Sequence, residues 1–151
     1  VVQQKLADYY VANGEVDKAI PLYLLCEPPD SVTPDRALAI ANLAYEVGAD
    51  EAYRQYKARG DSAPKRDVIE LMSSAQTYER QHKFQEAAAL YRQLIKDGEA
   101  PREVRGEAYM NLAFCLRVMK RYDEALQKVK TAKKLGVKVD PGFWVLLNMR
   151  R

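Results

Sequence analysis

Few residues in this sequence could do chemistry, and their spacing gives them little to work with. His82 is the single histidine in 151 residues, and Cys26 and Cys115 are the two thiols. A structural zinc site needs four clustered ligands, often with a Cys-x-x-Cys pair. One histidine and two cysteines in distant parts of the chain do not supply it. Each cysteine lies in an apolar helical pattern, Tyr23…Cys26 and Leu112…Cys115-Leu116. In such a setting Cys acts as a small hydrophobe, so two unpaired core thiols are expected rather than a disulfide scaffold. The adjacent carboxylates Asp50-Glu51 and Asp123-Glu124 open predicted helices, where the helix dipole accounts for them without acid–base work. Gly98-Glu99-Ala100-Pro101 reads as a linker, and no glycine-rich phosphate loop occurs. His82 falls in a predicted turn, where a solvated side chain is the plain reading. The expectation is a non-enzymatic chain with no cofactor and no metal.

The elements that would position any site come from a chain that is 48% hydrophobic and 30% charged, with 7 Gly and 7 Pro. That apolar content and a net charge of +3 exclude a disordered segment. No apolar run approaches the roughly 18–20 residues of a membrane span. The start, Val1-Val2-Gln3-Gln4-Lys5, lacks both an initiator Met and the plan of a secretion signal. An excised piece of a longer chain, or a mature product, is the expectation.

Apolar residues recur at i, i+3, i+4 and i+7 in Val16/Ala19/Ile20/Tyr23, in Phe84/Ala87/Ala88/Tyr91/Leu94/Ile95 and in Tyr122/Ala125/Leu126/Val129. That is the stripe of an amphipathic helix. Thr33-Pro34-Asp35 and Asp140-Pro141 place a capping side chain ahead of a first-turn proline. The predicted helices are 1–13, 16–26, 34–47, 50–59, 65–81, 84–96, 101–119, 122–135 and 141–150. No segment sustains period-two alternation, so no sheet is expected.

The helices form a repeat. Leu6-Ala7, Tyr10, Gly14, Ala19 and Tyr23 recur in the same order and spacing as Ser74-Ala75, Tyr78, His82, Ala87 and Tyr91. A further copy stands at Leu112-Ala113, Leu116, Lys120 and Ala125. It comes slightly later than the period set by the others requires, and the surplus fits a linker around Gly98 to Glu103, where insertions are cheap. A degenerate copy lies between the first two, with Gly48, Ala52, Tyr56 and Pro64. Ala52 falls one place short of the midpoint between Ala19 and Ala87, which suggests a shortened turn. The register of its first helix is open, because Asn42-Leu43-Ala44-Tyr45 echoes Asn111-Leu112-Ala113-Phe114.

This pattern resembles the tetratricopeptide repeat, a 34-residue unit of two antiparallel helices with a large–small signature in the first and a small residue opening the second. No copy has the early consensus Trp, and prolines after the second helix are irregular. The resemblance implies an all-α, right-handed superhelical solenoid of antiparallel helix pairs, one domain over residues 1–151. Its repeats would be about 1–32, 33–64, 65–100 and 101–138, with 139–151 a capping helix or the start of a further repeat. Solenoids need polar end caps; neither end has one, so an excerpt of a longer array is expected.

In that family the first helices line a concave groove. On this register Met72, Gln76 and Arg80 face it from one helix and Met110, Phe114 and Arg117 from the next, joined by Asp8 and Val11 of the first repeat. An adaptable Met and aromatic floor beside Arg suits a helix or extended segment of a protein partner. The competing reading puts Met110 and Phe114 in the inter-helix core. The set of Lys and Asn that grips chaperone tails in some members is missing: Gln4, Asp8, Met72 and Gln76 stand there, and Asn111 alone agrees.

Charge is divided along the chain. Residues 1–61 hold 6 basic and 10 acidic residues, net −4; residues 62–151 hold 18 and 11, net +7. The excess includes Arg117, Lys120, Arg121, Lys128, Lys130, Lys133, Lys134 and Lys138. Half of these fall on a second helix, whose wet side is the plain place for lysines, which disfavours nucleic acid as a partner. The reading is a protein–protein interaction scaffold within a larger protein or complex. Alternatives are the periplasmic repeat region of a bacterial exopolysaccharide exporter and a basic, nucleic-acid-associated assembly subunit. Unpaired cysteines favour a cytoplasmic or nuclear site over a periplasmic one. The sequence leaves the oligomeric state open.

Overall fold

The computed structural model describes residues 2–96 and 100–148, and among these the chain is all-helical. The helices are α1 (Val2–Ala12), α2 (Val16–Cys26), α3 (Pro34–Glu46), α4 (Asp50–Asp61), α5 (Val68–Arg80), α6 (Phe84–Lys96), α7 (Arg102–Val118), α8 (Tyr122–Lys134) and α9 (Pro141–Asn148). A 3-10 turn at Pro29–Ser31 precedes α3. No strand occurs among the described residues. Val1, the linker residues Gly98 and Glu99, and the predicted end of the last helix at 149–150 lie outside them.

The helices fall into two compact units, Val1–Lys65 and Arg66–Arg151. The turn within each helix pair, and the one that ends α8, is built by the same device. Gly14, Gly48, His82, Lys120 and Gly136 all have positive φ, at 77°, 69°, 60°, 65° and 94°. The next residue's amide reaches back to a carbonyl five residues earlier: Glu15 to Tyr10 (2.8 Å), Ala49 to Ala44 (3.0 Å), Lys83 to Tyr78 (2.8 Å), Arg121 to Leu116 (2.8 Å) and Val137 to Ala132 (3.1 Å). These are Schellman caps, which satisfy orphan carbonyls at a helix end and turn the chain sharply. The first three, at Gly14, Gly48 and His82, are evenly spaced, and the fourth, at Lys120, follows after a slightly longer interval.

This series settles the second copy. Counting back from Gly48 as from Gly14 or His82 makes Ile40-Ala41 and Ala44 the equivalents of Leu6-Ala7 and Tyr10, and all three are buried. The Asn42-Leu43-Ala44-Tyr45 echo is therefore out of register. The expected short turn is also corrected. Three residues separate α3 from α4, as they separate α1 from α2, α5 from α6 and α7 from α8. The missing residue is instead a shift in the face that α4 buries: Ala52, Tyr56 and Gly60. A Cβ on Gly60 would lie 2.5 Å from Leu38 Cδ2, so glycine there lets α4 press against α3.

Helix starts follow capping chemistry. Thr33 accepts from the Arg36 amide (3.2 Å) and Asp67 from the Glu70 amide (2.9 Å). Asp67 is why α5 opens at Val68 rather than at the predicted residue 65. Ala7, Ala19, Ala75, Ala87, Ala113 and Ala125 are fully buried, at positions where small side chains let helices approach.

Each unit has its own core. That of the first is built on Val11, Val16, Ile20, Tyr23, Ile40, Leu43 and Tyr56. The second uses Leu71, Leu90, Tyr91, Leu94, Leu112, Cys115, Leu116, Val129 and Leu147. Phe143, Trp144 and Leu147 dock α9 on this second core, while Val145 and Leu146 face solvent.

Candidate protein-binding face

The expected groove residues of the second unit occupy two first helices. On α5, Met72 is half-buried and packs on the core, Gln76 is half-buried, and Arg80 is exposed, donating to Thr77 Oγ1 at 3.1 Å. On α7, Met110 packs on the same core, Arg117 is half-buried and Phe114 is 40% exposed. Both methionines thus pack on the second core, and Phe114 is the most exposed of the three apolar side chains. No hydrogen bond, ion pair or ring contact among the described residues joins the α5 trio to the α7 trio.

The link runs through α6. The Phe84 ring meets Phe114 edge-on, with centroids 6.1 Å apart and planes at 66°. His82 stands 5.7 Å from Phe84. The row His82–Phe84–Phe114 was not legible as a unit. Phe84 reads as a core-stripe residue and His82 as a turn residue, and only the packing of α6 on α7 aligns them.

In the first unit the expected pair separates. Val11 is buried in the core and is no groove residue. Asp8 accepts a hydrogen bond from the Tyr23 hydroxyl at 2.6 Å. Three residues apart, the two differ by about 60° around α1, enough to divide a core side chain from an exposed one.

Behind the face lies polar architecture that buried tyrosines demand. Tyr91 of α6 donates to Glu79 of α5, tying these two helices together, and Asn111 of α7 lies beside the same hydroxyl. Burial, then the Glu79 bond and charge, pushes the Tyr91 phenol upward from its usual pKa. Burial, then Glu79, does the same to the Cys115 thiol, which leaves it a poor nucleophile. Cys115 is buried and Cys26 half-buried at the end of α2; both are free thiols.

The basic residues divide by environment. Arg121 is held by Glu124, which also takes Arg92 of α6 at 3.4 Å. Lys133 lies 5.8 Å over the Trp144 ring. Lys130, Lys134 and Lys138 are exposed on or after α8, and Lys120 is exposed in the α7–α8 turn. No group of three or more His, Cys, Asp or Glu among the described residues could hold a metal ion. None of the described helices is long and apolar enough to cross a membrane.

No family model matches the chain, and no curated protein matches it.

Proposed function

We propose that the protein is a tetratricopeptide-like scaffold, non-catalytic, whose helix pairs stack as a right-handed solenoid and hold a protein segment within a larger assembly. The observation that carries this reading is the recurrence of one capped helix–turn–helix, with left-handed turn residues at Gly14, Gly48, His82 and Lys120. A repeated unit of two helices cannot bury its apolar face alone and needs neighbours. Apolar side chains left open on α1 (Val2, Leu6, Tyr9) and α9 (Val145, Leu146) support further helix packing, by this chain or another.

The binding surface is the α5–α7 face of the second unit. A half-buried methionine floor, an exposed phenylalanine and flanking arginines provide an apolar anchor site with a charged rim. Such a face is preformed, so little ordering is lost when an extended or helical segment docks.

Site-specific photo-crosslinking tests this directly. A benzoylphenylalanine replacing Gln76 should give a discrete protein adduct in cells of the source organism, while the same group replacing Lys130 on α8 should not. Phe114→Ala should abolish the adduct with the helical circular dichroism unchanged. Adducts from position 130 alone, or indifference to Phe114→Ala, would remove the α5–α7 face from the reading.

A further inference from the structure

One end of the second unit gathers cations around an aromatic ledge. Phe84 at the start of α6 touches Phe114 in the last two turns of α7, so these helices run antiparallel. The α5–α6 turn, the start of α6, the end of α7 and the α7–α8 turn therefore share that end. His82 and Phe114 are exposed there beside half-buried Phe84. Arg117 follows Phe114 on the same helical face, Lys83 adjoins His82, and Lys120 occupies the second turn.

Arg117, Lys83 and Lys120 make no ion pair among the described residues. Of the carboxylates at this end, Glu124 is paired with Arg92 and Arg121, and Glu79 accepts from the Tyr91 hydroxyl. The end thus joins an apolar ledge to three cations that have no ion-pair partner of their own among the described residues. In the first unit the two matching turn positions are Gly14 and Gly48. In the second they carry His82 and Lys120 at positive φ, a conformation that side chains disfavour.

We propose, building on the protein-binding reading above, that this end captures an acidic protein segment presenting one aromatic or branched apolar side chain between carboxylates. The apolar side chain rests on the Phe84–Phe114 ledge, and the carboxylates pair with Arg117, Lys83 and Lys120. Guanidinium and carboxylate match in shape as well as charge. A single-stranded nucleic acid would need open ring faces for stacking. The rings here meet edge to face and Phe84 is half-buried, which favours a side-chain anchor over a base.

The test is fluorescence anisotropy on the full 151-residue chain, with a dye-labelled synthetic peptide carrying one Phe between pairs of Glu. Comparison probes are the same peptide with Lys for Glu, the same with Ala for Phe, and an oligo-dT of equal charge. The acidic Phe peptide should bind at least about tenfold tighter than either altered peptide. Phe114→Ala should weaken it by about tenfold. Lys83→Gln with Lys120→Gln, both exposed and spared any packing role, should weaken it severalfold and flatten its salt dependence. Lys130→Glu with Lys133→Glu should change it less than about twofold.

Absence of acidic-peptide binding overturns the proposal. Equal binding of the Lys peptide, still lost in Phe114→Ala, overturns the acidic preference and leaves the protein-binding face standing. Binding of every peptide regardless of Phe114 removes both. Tighter binding of oligo-dT than of the acidic peptide assigns the surface to nucleic acid and overturns it as well.

Discussion

The two units use the same helix–turn–helix yet hold themselves together differently. In the first, a polar chain runs through the helices: Tyr23 donates to Asp8, and Arg36 lies 5.3 Å from the Tyr23 ring. Arg36 also donates to both Glu27 oxygens at 2.9 and 2.8 Å, and the Tyr56 hydroxyl donates to the Glu27 carbonyl at 2.7 Å. The Arg36 and Glu27 side chains are each only 13% exposed. In the second unit the equivalent tyrosine, Tyr91, donates to the Glu79 carboxylate, and the other large fully buried side chains are Leu71, Leu90, Leu94, Leu112, Leu116, Val129, Leu147 and Cys115.

Glycine usage differs too. The first unit places glycine at both turns within its helix pairs, whereas the second puts His82 and Lys120 at those positions and has glycine at the turn that ends α8, Gly136. The contrast teaches that the repeated unit prescribes a backbone, not a chemistry. Caps and small residues recur, and each unit solves its buried polar groups separately.

Truncating the main support of each unit should break the comparison most. Leu116→Ala, a fully buried site, should cost about 2–5 kcal/mol. Arg36→Ala should cost about 3 kcal/mol by leaving Glu27 buried without its partner. The pair Arg36→Met with Glu27→Leu should recover most of that loss, because the desolvation cost disappears with the charge. Urea titration measures all three, and a harmless Arg36→Ala would show the ion pair to be incidental.

Alkaline pH tests the tyrosines the units share. Tyr56 and Tyr91 are both raised above the ordinary phenol, each chiefly by burial, then by Glu27 and Glu79 respectively. The folded state therefore keeps a proton that the unfolded chain releases near pH ~10. Stability from this source is fully present below that pH and falls above it, by up to about 1.4 kcal/mol per pH unit for each tyrosine. Stability that rises from pH ~10 to ~11 would contradict the burial of both hydroxyls.

Close approach comes next. An alanine Cβ at position 60 would meet Leu38, and one at position 106 would lie 2.7 Å from Val137 Cγ2. Gly60→Ala and Gly106→Ala should each cost about 1–3 kcal/mol from overpacking, although Ala is the better helix former. A gain in thermal stability from either would show that the helices can separate freely.

The smallest effect sharpens the turn comparison. His82→Gly should stabilise by about 1 kcal/mol, and Gly14→Ala should destabilise by a similar amount, since only glycine takes positive φ without cost. Differential scanning calorimetry would read both as opposite shifts in Tm. A destabilising His82→Gly would mean that the ring contact with Phe84 outweighs the backbone term.

Residue order alone determined where the helices run. Thr33-Pro34, Gly14 and Gly48 mark boundaries because caps and turns depend on neighbours a few positions away. The spacing of Ala19, Ala87 and Ala125 carried the repeat because burial imposes its period locally. Asp67 moved one predicted start from 65 to 68, since its side chain caps the helix there. Tertiary structure decided the rest. It set the α3 register against a misleading Asn-Leu-Ala echo, moved the missing residue from the turn into α4, and took Val11 into the core. It also brought Phe114 of α7 into one row with His82 and Phe84, which lie far from it along the chain. The reason is rotational. Each residue turns a helix face by about 100°, so periodicity shows that a face is buried. Which side chains at its margin meet another helix and which meet water depends on contacts from distant parts of the chain.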